Sequence, residues 1–417
     1  MSKTLITVTT LLICSLGWAD QNPDLLAKAA ALHERILTID AHADIEIPGQ
    51  PSSYVGPDGL SKVAPDKMRA GGLDAVVMSA AVGPKPRTAA GYAEARAIAE
   101  SELNAMVDLA AESANQVTLA TTTKALLEAH QAGQRGVILG LQNALILGTK
   151  VSAVDDFFAA GVRVFALTHM GHNAFADSSR PLFNAALGTR EPDAEHGGLS
   201  DLGRAAIQRI NALGGIVDIS QLSKQAALQA MTTSTTPVIA SHSNAWALTN
   251  VSRNLSDEEL DAIAATGGVV HVAPFAGYLF DSSDPELDAA IRAVRRKAGI
   301  DENYLYPFEL YWEINDPAIK TEFLTAVRRL LGPINLDTML NHLDYVAERI
   351  GVDHVGIGTD FNHGSGIDGY QDASDALNVT LGLIQRGYSA TDIEKIWGGN
   401  FIRVWQQVEN ARDTKDI

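Results

Sequence analysis

Two short segments at opposite ends of the chain run out of apolar, strand-like sequence straight into side chains that bind metals: His42-Ala43-Asp44 and Thr359-Asp360. A strand sets residues i and i+2 on one face, so His42 and Asp44 can point together at a spot just beyond a strand end. Imidazole and carboxylate are ordinary ligands of a divalent cation. A lone His-x-Asp is more often a polar strand cap, but other apolar runs here also end in polar groups. These are Gln142 and Asn143, His169, Ser220 and Gln221, and His242. Imidazoles, carboxylates and amides gathered at one place suit a divalent metal with its water, and the natural use of such a set is hydrolysis.

Bringing residues so far apart in sequence to one point requires a particular architecture. Eight apolar runs rich in Val, Ile and Gly recur at 36–40, 73–82, 136–142, 162–169, 215–220, 237–242, 268–275 and 354–361. Amphipathic segments separate them, clearest at 89–112, 200–213, 224–232 and 256–266. Near-continuous apolar strands alternating with helices signal a parallel sheet buried on both faces, and eight of them predict a closed (β/α)8 TIM-type barrel. Such a barrel works at the carboxyl ends of its strands. Ser256-Asp257-Glu258-Glu259 reads as a capped helix start with acids at the positive end of the dipole. The long gap at 276–351 exceeds an ordinary connection and predicts a helical insertion or lid between strands 7 and 8. Tyr304, Tyr306, Phe308, Tyr311 and Trp312 form its aromatic group, as fit to pack the insertion onto the barrel as to touch substrate.

Length and composition agree with one large enzyme domain: 417 residues, 46% hydrophobic and 20% charged. A formal net charge of −18 argues against nucleic acid or an anionic membrane surface as partner. Residues 1–19 read as an export signal, with Lys3, an apolar stretch at 5–16 and the small-x-small site Gly17-Trp18-Ala19. The expectation is a domain over 20–417 in the periplasm or secreted. The single cysteine, Cys14, lies inside the signal, and bulky Ile13 before it disfavours a lipoprotein. No later apolar stretch is long enough to span a bilayer. A homodimer is left open.

The chain resembles the membrane (renal) dipeptidase family of the amidohydrolase superfamily. The likeness rests on Ile39-Asp40-Ala41-His42-Ala43-Asp44, Leu167-Thr168-His169, Asp218-Ile219-Ser220, Ser241-His242-Ser243 with Arg253-Asn254, Gly358-Thr359-Asp360-Phe361, and Gly398-Gly399-Asn400-Phe401. It implies a barrel that holds two zinc ions and hydrolyses a dipeptide with a free C-terminal carboxylate, often tolerating a D-residue there. By position, His42 and Asp44 would hold the first metal and His242 the second. Asp360 would ligate the first metal and take a proton from the attacking water, His169 would polarise the scissile carbonyl, and Arg253 would bind the substrate carboxylate.

Two departures change that expectation. The resemblance implies a bridging glutamate where this chain has Gln142, and a histidine ligand where it has Gln221. An amide oxygen is neutral and a poorer ligand, so one tightly held Zn2+ or other divalent ion is expected, with Gln142 and Gln221 as weak ligands if a second binds. A non-hydrolytic binding or maturation protein of the envelope, or an amidohydrolase acting on another amide or a lactone, are the alternatives. Glu46, His172 and His363 read as exposed groups, His271 as a hydrogen-bonded core histidine, and Asp218 as an organiser of the fifth strand end. Gly267-Gly268 and Gly398-Gly399 lack the spacing and lysine of a phosphate loop, and no Gly-x-Ser-x-Gly elbow supports serine catalysis.

Overall fold

The computed structural model describes residues 23–412, apart from 48, 51, 53, 185–188, 303–313 and 315. The expected export signal and the aromatic group at 304–312 lie outside the described residues. Eight parallel strands follow one another around a sheet in chain order. They are β1 (Ile39–Asp44), β2 (Ala75–Ala81), β3 (Arg135–Gln142), β4 (Val162–Ala166), β5 (Ile216–Asp218), β6 (Ile239–Ala240), β7 (Val269–Val272) and β8 (Val355–Ile357). The residues just past β8 close the ring onto β1: Asp360 N donates to His42 O (2.8 Å), Asp44 N donates to Phe361 O (3.0 Å), and Ala43 bridges Phe361 in parallel. The anticipated (β/α)8 barrel is thus present. A three-residue strand, Val117–Leu119, adds to β3 outside the ring and was too short to be seen in sequence.

The helices form where their caps and apolar faces place them. Thr88 caps Ala89–Ala111, Ser200 caps Asp201–Leu213, and Ser256 forms the expected reciprocal box with Glu259 ahead of Asp257–Ala265. One end of the barrel is sealed by the last helix, Asn400–Asn410. Its Phe401, Val404, Trp405 and Val408 pack with Ile39, Val77, Ile138, Val164, Ile216 and Ile239 from the strands. Gly398 permits this approach, since a Cβ there would sit 2.4 Å from Leu37 O. With the amino-terminal end plugged by apolar side chains, the open end is the carboxyl-terminal one.

The first strand departs from its expected bounds. It begins at Ile39 rather than residue 36 and runs through His42 and Asp44, because Thr38 is held from the side by Asp74, whose carboxylate accepts from Thr38 N (3.0 Å). Its register with β2 slips by one residue between Asp40 and Ala43, a bulge of the kind that re-aims side chains beside active sites. The insertion between β7 and β8 is helical, with Pro285–Lys297 and Pro317–Leu331 building a small core of their own from Tyr278, Phe280, Ile291, Phe323, Val327 and Leu331. Leu336–Ile350 then packs back along the barrel.

Candidate metal centre

Strand ends converge at the open rim under visible strain. Asn143, Gln221, Asp360 and Asn362 all have positive φ (88°, 68°, 56° and 64°), a conformation that non-glycine residues adopt rarely and mostly where the surroundings over-determine it. Gly358 lets the end of β8 lie against the end of β6, since a Cβ there would fall 1.7 Å from Ser241 O. Buried Asp40 joins the seam from behind: its carboxylate accepts from Thr359 N (2.7 Å), Thr359 Oγ1 (2.6 Å) and His42 N (3.1 Å). Burial pushes its carboxyl up to about 6 against those hydrogen bonds.

One half of the site is acidic. His42 Nε2 lies 3.5 Å from Asp44 Oδ1 and 3.9 Å from Asp360 Oδ1. Asp44 Oδ2 pairs with His363 Nδ1 at 2.8 Å. Burial alone would push the Asp44 carboxyl up, but the charge and hydrogen bond of His363 and the charge of His42 outweigh it and hold it well below the usual range. Asp360 is pushed the other way, up, by burial first and by the Asp44 charge, against the pull of His363 and His42. Burial lowers both His42 and His363, and their neighbouring carboxylates more than reverse it. Two adjacent carboxyls driven apart in this manner are suited to different tasks, one as a fixed anion and one as a proton acceptor.

The other half is built of amides and arginine. His242 stacks on His42 with ring centroids 3.9 Å apart. Behind it, Asp218 accepts from Ser220 N (2.9 Å), Ser241 N (3.0 Å) and Ser241 Oγ (2.5 Å), and Ser241 Oγ lies 2.7 Å from His242 Nδ1. Ser241 gives its own hydrogen to Asp218, so it accepts from Nδ1–H and leaves the lone pair of His242 on Nε2. That nitrogen faces Gln142 Nε2 at 3.4 Å and Gln221 Nε2 at 3.3 Å. Gln221 Oε1 is taken by Arg180 Nη2. Ligand atoms of His42, Asp218 and His242 fall within 4.8 Å of one another, but the Asp218 carboxylate is spent on the serines.

His169 and Arg253 complete the floor. Both ring nitrogens of buried His169 lack a hydrogen-bond partner among the described residues, and its ring meets His363 edge-on at 5.1 Å. Burial, then the charges of His363 and Arg180, push its imidazole well down, so it is neutral. Arg253 donates from Nη2 to His242 O (3.0 Å) and lies over the Tyr278 ring at 4.9 Å. A cleft of about 280 Å³ opens from Asp44, His169 and His363 toward Glu46, Tyr54 and Glu102. A larger one, about 560 Å³, adjoins it at Met170 and is lined by Arg87, Asn143, His172 and Arg190.

The structure therefore gathers His42, Asp44, His242 and Asp360, with His169, Arg253, Gln142 and Gln221 around them. Three expectations need correction. His363 is only part-exposed, because the turn after Asp360 folds it onto Asp44 at the wall of the cleft. His172 is buried, held by Pro192 O (2.7 Å) and Ser178 N (3.0 Å), outside the metal-binding group. Glu46 is half-buried in the cleft and accepts from Ser52 Oγ (2.8 Å). His271 is a core histidine bonded to Ala240 O (2.9 Å). Sequence reasoning missed Arg180, and also Glu102, whose carboxyl burial raises to about 8 from the helix Ala89–Ala111. The residue types in the acidic half fit a divalent cation. His42 Nε2, Asp44 Oδ1 and Asp360 Oδ2 are buried without hydrogen-bond partners among the described residues, a costly arrangement unless another group satisfies them.

The family model described as membrane dipeptidase, peptidase family M19, matches residues 26–416. Dipeptidase tcpJ of Claviceps purpurea is 30% identical over 282 residues, 67% of this chain and 53% of that protein. Dipeptidase aclJ of Aspergillus oryzae is 29% identical over 69% of this chain and 55% of its own. The chain spans about half the length of these curated relatives. Among solved structures, the probable dipeptidase PvdM from Pseudomonas aeruginosa superposes with a TM-score of 0.82 at 34% identity, over 94% of this chain and 100% of that one. A metallo peptidase from Rhodobacter sphaeroides, liganded with a phosphinate mimic of the dipeptide L-Ala-D-Ala, shares the fold (TM-score 0.68, 18% identity, 89% and 99% covered).

Proposed function

Because the chain belongs to the membrane dipeptidase family, peptidase family M19, we propose that it is an exported metallodipeptidase that hydrolyses small dipeptides, including those with a C-terminal D-residue. The observation that carries this reading is that His42 lies within 4 Å of both Asp44 and Asp360, with His42 Nε2, Asp44 Oδ1 and Asp360 Oδ2 buried and unpartnered among the described residues. Export is supported by the leader-like composition of residues 1–19.

A divalent ion such as Zn2+, held by His42, Asp44 and Asp360, would supply Lewis acidity for the attacking water and the scissile carbonyl. The protein's own groups divide the remaining work. Asp360, the carboxyl of raised proton affinity, takes the proton from the water as it adds to the carbonyl carbon. The same proton then passes to the leaving amine as the C–N bond breaks. Neutral His169 donates an N–H to the developing oxyanion, and its unpartnered nitrogens leave it available for that contact. Arg253, whose Nε lacks a partner among the described residues, anchors the substrate carboxylate by a two-pronged hydrogen bond. His363 holds Asp44 in place from its far oxygen.

A second reading, binding without hydrolysis, is favoured by the amide groups that face His242 where acids would serve a second metal better. A panel of L,L and L,D dipeptides with their C-terminal amides, assayed with zinc, manganese and cobalt, separates the two. Turnover of free acids, with the amides much poorer, is expected. No turnover with any metal would transfer the case to the binding reading.

A further inference from the structure

We propose that Arg180 takes the place of a second metal ion, so that the centre holds one divalent cation and one fixed guanidinium. The inference rests on the metal-centre part of the reading above and concerns what stands opposite the His42, Asp44 and Asp360 group.

The argument is one of hydrogen-bond direction. His242 Nε2 carries a lone pair, because the chain from Asp218 through Ser241 fixes the hydrogen on Nδ1. A buried imidazole so prepared is ready to ligate a metal. It faces Gln221, whose oxygen accepts from Arg180 Nη2; turning that amide over would set its NH2 against the guanidinium, donor to donor. The orientation is therefore forced, and Gln221 presents N–H to His242. Gln142 approaches the same lone pair through its own amide nitrogen. Gln221 thus offers hydrogens where a cation would need an oxygen.

Charge points the same way. Arg180 is 5% exposed and Arg253 2%, so both guanidiniums are buried, the first on Gln221, whose amide faces His242, and the second on His242 O. A second divalent ion here would meet one imidazole lone pair and a fixed positive charge in a poorly screened setting. Arg180 instead supplies positive charge to that half of the site without a metal. It comes from the segment after β4, 41 residues before Gln221 in sequence.

Cobalt stoichiometry of the full-length protein tests this, measured by elemental analysis after gel filtration and by the visible Co2+ spectrum. Wild type is expected to bind one cobalt per chain. Gln142→Glu with Gln221→His supplies a carboxylate and an imidazole; with Arg180 retained it is expected still to bind one. Adding Arg180→Met to that pair is expected to raise the count to two. A second cobalt in wild type or in the double variant would overturn the proposal, as would a folded triple variant that keeps one. Circular dichroism and melting check the fold, and Arg180→Gln in the same background gives the same reading if the methionine variant does not fold. No cobalt in any form would overturn both this and the metal-centre reading. One cobalt in wild type without dipeptide turnover would sink only the dipeptidase.

Discussion

The two halves of the rim are made of similar strand ends and reach opposite electrostatic outcomes. On the seam where β8 meets β1, two carboxylates and two histidines crowd together and leave buried ligand atoms unsatisfied. Across the stacked pair His42 and His242, the groups around the second imidazole are paired internally: Asp218 binds Ser241, Ser241 binds His242, and Gln221 binds Arg180. The difference separates a place prepared for an external cation from one that has brought its own. A buried polar group that is satisfied internally gains little from a metal, whereas an unsatisfied one gains much.

Asp360→Asn should break the comparison most severely. The amide keeps the volume and loses both the negative charge and the proton acceptor, so kcat/KM for a dipeptide should fall by roughly 10³-fold or more, the scale of several kcal/mol of transition-state stabilisation. The melting curve of the metal-free protein should show the fold retained. Unchanged turnover would remove Asp360 from its role as base. A smaller effect is expected at His363→Gln, which loosens Asp44 without touching the other ligands. Metal affinity, followed by competition with a chromogenic chelator, should weaken by about 10–100-fold, the range for partners that orient a ligand. An unaltered affinity would make the His363 contact with Asp44 incidental.

A third effect lies outside the rim, leaves turnover and metal affinity untouched, and serves as the control. His342 accepts from Ala245 N (3.1 Å) and is pushed down to about 3 by burial. Above its ordinary value of 6.5 it is neutral in folded and unfolded chains alike, and its contribution to stability is complete. As pH falls from 6.5 toward about 3, the unfolded chain takes up a proton that the folded one refuses, and stability drops by up to ~1.4 kcal/mol per pH unit from this group. His342→Gln should flatten the acid limb of melting temperature against pH. A limb as steep as that of wild type would assign acid sensitivity to the metal centre instead.

Much of the barrel was legible because parallel strands buried on both faces leave near-continuous apolar runs, and because helix caps such as Ser200 and Ser256 act locally. What sequence obscured was non-local. The start of β1 is moved by Asp74 from the neighbouring strand connection, and its bulge depends on pairing with β2. His42, Asp44 and Asp360 could be read from strand ends. His363 could not, because only the left-handed turn at Asp360 and Asn362 carries it back over Asp44. Arg180 gave no local signal at all, since its meaning lies in an amide on another strand end.

The account stands most directly on where a cation collects. Crystals grown with Co2+ and measured at the cobalt edge should give one strong anomalous peak, about 2.0–2.2 Å from His42 Nε2 and carboxylate oxygens of Asp44 and Asp360. A peak seated on His242 with none beside Asp44, or two peaks of equal height, would contradict it.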